Sequence, residues 1–337
     1  MQETEILSST GSLGFTRRSC DRGYANLPGL VSADYVERLG VVAARLIVSG
    51  KTSRNVARVF MDTKEITRLN GISSHLEAAV PTGFISSREE EVWMCMFAHN
   101  AHHRNPMYPI SHMVEQTRME EQQHDLPNTI VQNARSQGYS FSQQIREHDI
   151  HKMYGMWGPV FGWDRNSMQI EALNERLNAD RLKPPHLRSV WFTALYAGSE
   201  LITLAMAERL EFPMLSLIEL TEWVSNRRGR HLMEATVAHN IAQVIGDLSQ
   251  QKKPALLIAE TNFITSAFRV AHAVGMRVPQ RNINEIPVPQ LLIQNVTIGD
   301  GKSDAPYRDF VMMYLPKEIM RSHYNARQRA LIFNGGI

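Results

Sequence analysis

Cysteine is almost missing from this chain: Cys20 and Cys95 are the two present among 337 residues. That usage gives no disulfide framework and no CxxC metal pair, as expected of a protein made in a reducing compartment. Charge of one sign is not in excess either. The 36 basic and 34 acidic residues leave a formal net charge of +2, which excludes a surface that coats nucleic acid generally and leaves only local basic patches. No apolar run reaches the ~18 residues of a membrane span, and Met1 to Leu13 has no cationic segment followed by an apolar one. A soluble intracellular protein without membrane contact is expected. GxSxG, GxGxxG and any repeat of fixed period are absent too. Gly299-Asp300-Gly301-Lys302-Ser303 ends like a phosphate loop, but Val296 stands where its first glycine belongs and a strand pattern follows. No catalytic, cofactor-binding or metal-ligating residue is therefore assigned, no cofactor is expected, and no small-molecule substrate is identified.

What remains is pattern. Hydrophobic residues make up 43% of the chain, enough for a sizeable core, and 17 methionines favour adaptable packing surfaces. Residues 1–30 are rich in Ser, Thr and Gly and show no sustained period, so they read as an extended arm or a loose terminus. Ser32 or Asp34 caps a helix carrying Tyr35, Leu39, Val42 and Leu46. Short helices from Ser53 to Phe60 and from Glu65 to Asn70, with Arg54, Arg58, Lys64 and Arg68, make residues 41–70 resemble a helix-turn-helix DNA reader. Ser87 with Glu89 to Glu91 opens another helix, on which Cys95, His99 and His102 or His103 would share a face at zinc-ligand spacing. Asn105-Pro106 ends that helix at once, and satisfied histidines are the commoner reading. Residues 107–138 form a polar excursion. Glu147-His148-Asp149-Ile150-His151 places carboxylates beside two imidazoles without a nucleophile of distinctive spacing, and reads as an element boundary. Tyr154 to Trp163 combines three glycines, a proline and four aromatics. Its Trp157 and Trp163 suit either an interface loop or a core plug, and less readily a base-stacking platform.

Asn166 caps a helix from Met168 to Leu182, and Pro184-Pro185 forms the linker between a helix-rich region, 31–183, and a core domain, 186–337. A second helix, Ser189 to Leu210, is apolar on most sides. Leu217, Leu220 and Val224, then Leu232 through Leu248, recur at helical spacing around a kink at Arg227-Arg228-Gly229-Arg230-His231. Ala255 to Ala259 reads as a strand buried on both faces, and a helix from Asn262 to Val274 closes on Gly275. Strands at Ile286 to Val296 and Tyr307 to Leu315 complete the pattern as a hairpin.

From about Glu147 onward this order of elements resembles that of the tailed-phage major capsid protein. In that family an extended arm precedes a long loop, a spine helix, a compact domain and a closing ribbon. The resemblance implies an α+β fold with a helix-rich N-terminal half, a long kinked helix at Glu219 to Leu248 and an antiparallel ribbon in the C-terminal half. It also implies a self-assembling structural protein, a major capsid subunit of a bacteriophage virion assembled in the host cytoplasm, and not an enzyme. Its partners would be copies of itself and packaged nucleic acid. Arg227, Arg228 and Arg230 would meet acidic groups of a neighbour or the nucleic acid, with Trp157 and Trp163 as further contact residues. The alternative is a helical nucleic-acid-binding protein that uses residues 41–70. An enzyme with a non-local site is the third reading, with no reaction named.

Overall fold

The structure, a computed structural model, describes residues 4–7, 14–19, 22–52, 54–69, 75–100, 127–161, 168–212, 215–227, 231–249, 254–262, 266–279, 282–283, 286–287, 293–297 and 307–324. The N-terminal part runs β1 (Thr4–Leu7), β2 (Gly14–Ser19), β3 (Arg22–Leu30), α1 (Ala33–Val48), β4 (Arg54–Asp62), α2 (Thr63–Thr67), β5 (Leu76–Ile85) and β6 (Glu91–Asn100). After it come α3 (Pro127–Ser136), β7 (Tyr139–Ser142), α4 (Ile150–Phe161), α5 (Met168–Arg181), β8 (Val190–Ala197), β9 (Glu200–Glu211) and β10 (Ser216–Ser225). The chain continues through α6 (Leu232–Leu248), β11 (Ala255–Asn262), α7 (Ser266–Ala273), β12 (Asn282–Ile283), β13 (Ile286–Pro287), β14 (Ile293–Thr297), β15 (Tyr307–Tyr314) and α8 (Lys317–His323).

Two large sheets result, and their topologies repeat. The first has the order β1-β2-β3-β4-β6-β5, the second β14-β15-β11-β10-β9-β8-β7. In each, three antiparallel strands, β1–β3 or β8–β10, lead through a crossover helix, α1 or α6, to a parallel fourth strand, and β7 adds a further antiparallel strand to the edge of the second sheet. That fourth strand, β4 or β11, is flanked by an antiparallel hairpin closing the sheet. No sequence repeat announces this, because a topology is held by burial pattern and not by residue identity.

The sheets pack face to face. Val56, Phe60, Val80, Met94 and Met96 meet Phe212, Leu217, Leu256, Ile258 and Met312, each large side chain contributing about 1.5–3 kcal/mol on burial. Phe60 and Phe212 make an edge-on contact at 4.8 Å. The outer face of the first sheet is covered by α1 and that of the second by α6 and α7. On the inner side of the second sheet, Met153, Trp157, Leu173 and Leu177 of α4 and α5 cover Phe192, Leu204, Met206 and Val224.

Several expectations are corrected here. Residues 189–210, read as one helix, are the hairpin β8–β9, turning at Gly198 with φ +58. The supposed spine helix at Glu219 to Leu248 is strand β10 followed by helix α6, so the capsid-like architecture fails at its central element. Strands buried on both faces carry near-continuous apolar runs, and Ala, Leu and Met in such runs imitate a buried helix. Residues 54–62 and 91–100 are strands for the same reason. The helix-turn-helix reading of 41–70 therefore lapses, and Arg54 and Arg58 are both 2% exposed, Arg54 being paired with Glu77 at 2.8 Å. Tyr154 to Phe161, expected in a loop, lies within α4. Helices α1, α5 and α7, strand β11 and the positive φ of Gly275 (+96) form where the pattern placed them.

The start of α1 is closed by side chains. Ser32 Oγ accepts from the Tyr35 amide at 3.3 Å, and the Glu65 carboxylate accepts from the Ala33 amide at 3.0 Å. Glu65 is also paired with Arg88 at 2.8 Å and Arg68 at 3.2 Å. The Ala33 amide first, and then the Arg88 guanidinium, hold its carboxyl below the ordinary value of 4.5. Glu65→Ala leaves a buried amide without an acceptor and should cost about 1–3 kcal/mol. Because the folded-state pKa is depressed, that stability is present above 4.5 and fades as pH falls through the lowered value. Urea unfolding of both proteins at neutral and acid pH should therefore show a gap that narrows on acidification.

Candidate functional site: an open cleft between two strands

Strands β10 and β11 are parallel partners over four residues, Ser216–Glu219 against Ala255–Ile258. Beyond that point, among the described residues, β10 is paired with β9 and β11 with β15. From Leu220 and Ala259 onward the two strands share no rungs, and among the described residues no strand pairs with the edges they turn toward the gap. Unpaired N–H and C=O groups of this kind are a template for another extended chain. The open part of β10, Leu220 to Ser225, spans ~20 Å at ~3.3 Å per residue.

Opposite Ala205 of β9, β10 carries one extra residue. Thr221 pairs with Met206 and Val224 with Leu204, leaving Glu222 and Trp223 in a bulge. Glu222 adopts a left-handed backbone, φ +59, a conformation that costs about 1–3 kcal/mol outside glycine and clusters at functional sites. Its carbonyl accepts from the Trp157 indole N–H at 3.1 Å, which ties the bulge to α4. Its Oε2 is buried and has no hydrogen-bond partner among the described residues. Burial first, then the carboxylates of Glu208 and Glu219, push its pKa up to about 8.

The exit from β10 is ordered. The Asn226 amide donates to the Ile202 carbonyl at 3.0 Å and its Nδ2 to the Leu201 carbonyl at 2.6 Å. Ser225 Oγ accepts from the Arg227 amide at 3.2 Å. Helix α6 then begins after His231, at φ +54, with no side-chain cap on its first amides. A 17-residue helix whose N-cap His231 makes no side-chain hydrogen bond to it, preceded in sequence by Arg227-Arg228-Gly229-Arg230, is suited to an anion. The start of α1, filled by Glu65, is the contrast within the same chain.

The residues singled out from the sequence disperse. Arg227 is exposed, just past the end of β10, and paired with Glu200 at the start of β9, while Arg228, Arg230 and Trp163 lie outside the described residues. Trp157 is fully buried. Cys95 and His99 lie on strand β6 and not on a helix; Cys95 is buried, and His99 stacks on His75 at 4.0 Å. Among the described residues no group of three His, Cys, Asp or Glu is placed to hold a metal ion, and His102, His103, His112 and His124 lie outside them. Asp149 is buried, accepting from Tyr196 Oη and Lys152 Nζ, both at 3.0 Å. Glu222 was missed. Glu219 and Glu222 lie three apart in Leu-Ile-Glu-Leu-Thr-Glu-Trp-Val, which imitates one face of a helix, and a bulge leaves no mark in residue spacing.

No family model and no curated protein matches the sequence. Solved structures do resemble it. Mycobacterium smegmatis RimJ, in complex with CoA-disulfide, is 14% identical, covering 57% of this chain and 88% of its own at a TM-score of 0.39. A spermidine N-acetyltransferase SpeG variant from Vibrio cholerae is 12% identical, covering 56% of this chain and 97% of its own at 0.39. A ribosomal-protein-alanine N-acetyltransferase from Brucella melitensis is 13% identical, covering 52% and 98% at 0.37. These structures are described as N-acetyltransferases, whereas the reading as a non-enzymatic virion subunit rests on a spine helix at Glu219 to Leu248 and falls with strand β10. The virion location is implied by that resemblance alone, and the nucleic-acid-binding alternative falls with the strand at Arg54–Asp62. Likeness at this level assigns no activity to the chain. No described helix is long and apolar enough to cross a membrane.

A carboxyl raised from 4.5 to about 8 on folding stabilises the folded state below 4.5, and this contribution is lost as pH rises through about 8. Glu222→Gln should melt at a higher temperature than the parent protein above pH about 8, and the advantage should shrink toward pH 4.5. Thermal unfolding across that range checks the sign.

Proposed function

We propose that the chain transfers an acyl group from an acyl-CoA thioester to an amine. The observation that carries this is the parting of β10 from β11, with no strand paired to the facing edges among the described residues, followed in the chain by α6, whose N-cap has no side-chain hydrogen bond. The residues present fit such a co-substrate. The strand edges suit an extended arm bearing amides, and the amides of α6 with Arg227 suit a pyrophosphate. RimJ of M. smegmatis is described with a CoA-disulfide; the assignment to this chain rests on its own cleft. Bound acyl-CoA would supply the thioester carbon that the amine attacks.

The protein's own part is to bind, align and take a proton. Glu222, with a pKa of about 8, is matched to accept a proton from an ammonium near neutral pH. The freed amine then forms the C–N bond while the C–S bond breaks, and the departing thiolate takes the remaining proton from nitrogen. The products are an amide and free CoA thiol. The Trp157 indole holds the backbone of Glu222, and so acts as a positioning residue.

Calorimetric titration with CoA should show saturable binding to the full chain, and mixing acetyl-CoA with a polyamine or a peptide α-amine should release thiol. Absence of heat at millimolar CoA would sink the proposal. Arg227→Ala should weaken CoA binding roughly 2- to 5-fold, less at high salt. Glu222→Gln should lower kcat by about 10²- to 10⁴-fold and abolish the rise in rate with pH that the parent protein shows up to about 8.

A further inference from the structure

The gap between β10 and β11 is braced from the other sheet. Arg58 lies on β4, 2% exposed, and donates from Nη1 and Nη2 to Glu219 at 2.9 and 3.1 Å and from Nη2 to Glu260 at 3.0 Å. Glu219 is the last residue of β10 in register with β11, opposite Ile258, and Glu260 stands two residues past Ile258 on β11. One guanidinium therefore grips both strands at the point where they part. The equivalent gap in the N-terminal sheet is shut: Leu30 pairs with Phe60, the Val31 amide donates to the Phe60 carbonyl at 2.9 Å, and Glu65 fills the start of α1.

We propose that Arg58 is a positioning residue for acyl transfer, supplied by the N-terminal repeat, which fixes the spread of β10 and β11 and offsets the Glu219 carboxylate that acts on Glu222. This rests on the function proposed above. The carboxylates that act on Glu222 are Glu208 on β9, paired with Arg176 of α5 at 3.0 Å, and Glu219 on β10, held by Arg58. From α4 the group that touches Glu222 is the uncharged indole of Trp157. Loss of the cation leaves the Glu219 carboxylate uncompensated, so the Glu222 carboxyl must titrate higher than it does in the parent chain.

The test compares Arg58→Met and Arg58→Lys with Arg54→Met in the full chain. Arg54 is as deeply buried and is paired with Glu77 inside the N-terminal sheet, so its loss reports stability alone. Arg58→Met should lower kcat/KM for acetyl-CoA by about 10- to 100-fold and raise the midpoint of the pH–rate profile, with Arg58→Lys between it and the parent and Arg54→Met within about 2-fold of the parent. The Glu222 titration, followed by carbon-13 NMR of labelled glutamate, should move upward in Arg58→Met and stay in Arg54→Met. Because that readout needs no turnover, failure of the parent chain to transfer acyl groups would remove the function and leave the Arg58 brace separately measured. Should Arg58→Met not fold, Glu219→Gln, which keeps the cation and removes a neighbouring charge, should move the Glu222 midpoint downward. Equal behaviour of the Arg58 and Arg54 variants in kcat/KM and in the Glu222 titration, or an unmoved midpoint in Glu219→Gln, would overturn the proposal.

Discussion

A parallel ladder only four residues long, Ser216–Glu219 against Ala255–Ile258, is the constraint on which the C-terminal half depends. Each strand of the pair has a full antiparallel partner on its other side, so the two can part without either losing its place in the sheet. What the parting leaves behind is backbone to which, among the described residues, no strand is paired. A buried polar group without a partner costs about 1–3 kcal/mol, and a cleft that keeps such groups accessible to a ligand avoids that cost.

Burial sets the frame around it. The two sheets share one apolar interface, and α6 and α4 clamp the second sheet from opposite sides. Trp157 belongs to this packing and to the site at once, since its ring is buried while its N–H holds the carbonyl at the bulge. The bulge turns a strand position into a single strained residue, and that residue is a glutamate.

The two crossover helices show how one topology supports opposite electrostatics. At α1 the helix start faces Glu65, and the carboxyl is held below its ordinary range by an amide and two arginines. At α6 the start has no side-chain cap, and Glu222, on the strand before it, is pushed the other way by burial and by two carboxylates. The N-terminal copy has its gap paired and its helix start filled, and contributes Arg58 to the copy whose gap is open.

By itself the sequence determined the elements whose apolar pattern has one buried face or a recognisable cap: α1 behind Ser32, α7 ending before Gly275, and β11 as a short apolar run. It also determined the basic run before α6, which is legible as charge whatever the fold. It could not separate helix from strand at β4, β6, β8, β9 and β10, because strands covered on both faces lose the alternation that marks them. The resemblance to a capsid fold followed from that one error, carried from residue 189 to residue 225. Only the tertiary structure decided the repeat of topology, the parting of β10 from β11 and the surroundings of Glu222. Those depend on which strands pair and which residues, such as Arg58 and Glu219, meet across 161 positions of sequence, and spacing along a chain holds no record of such contacts.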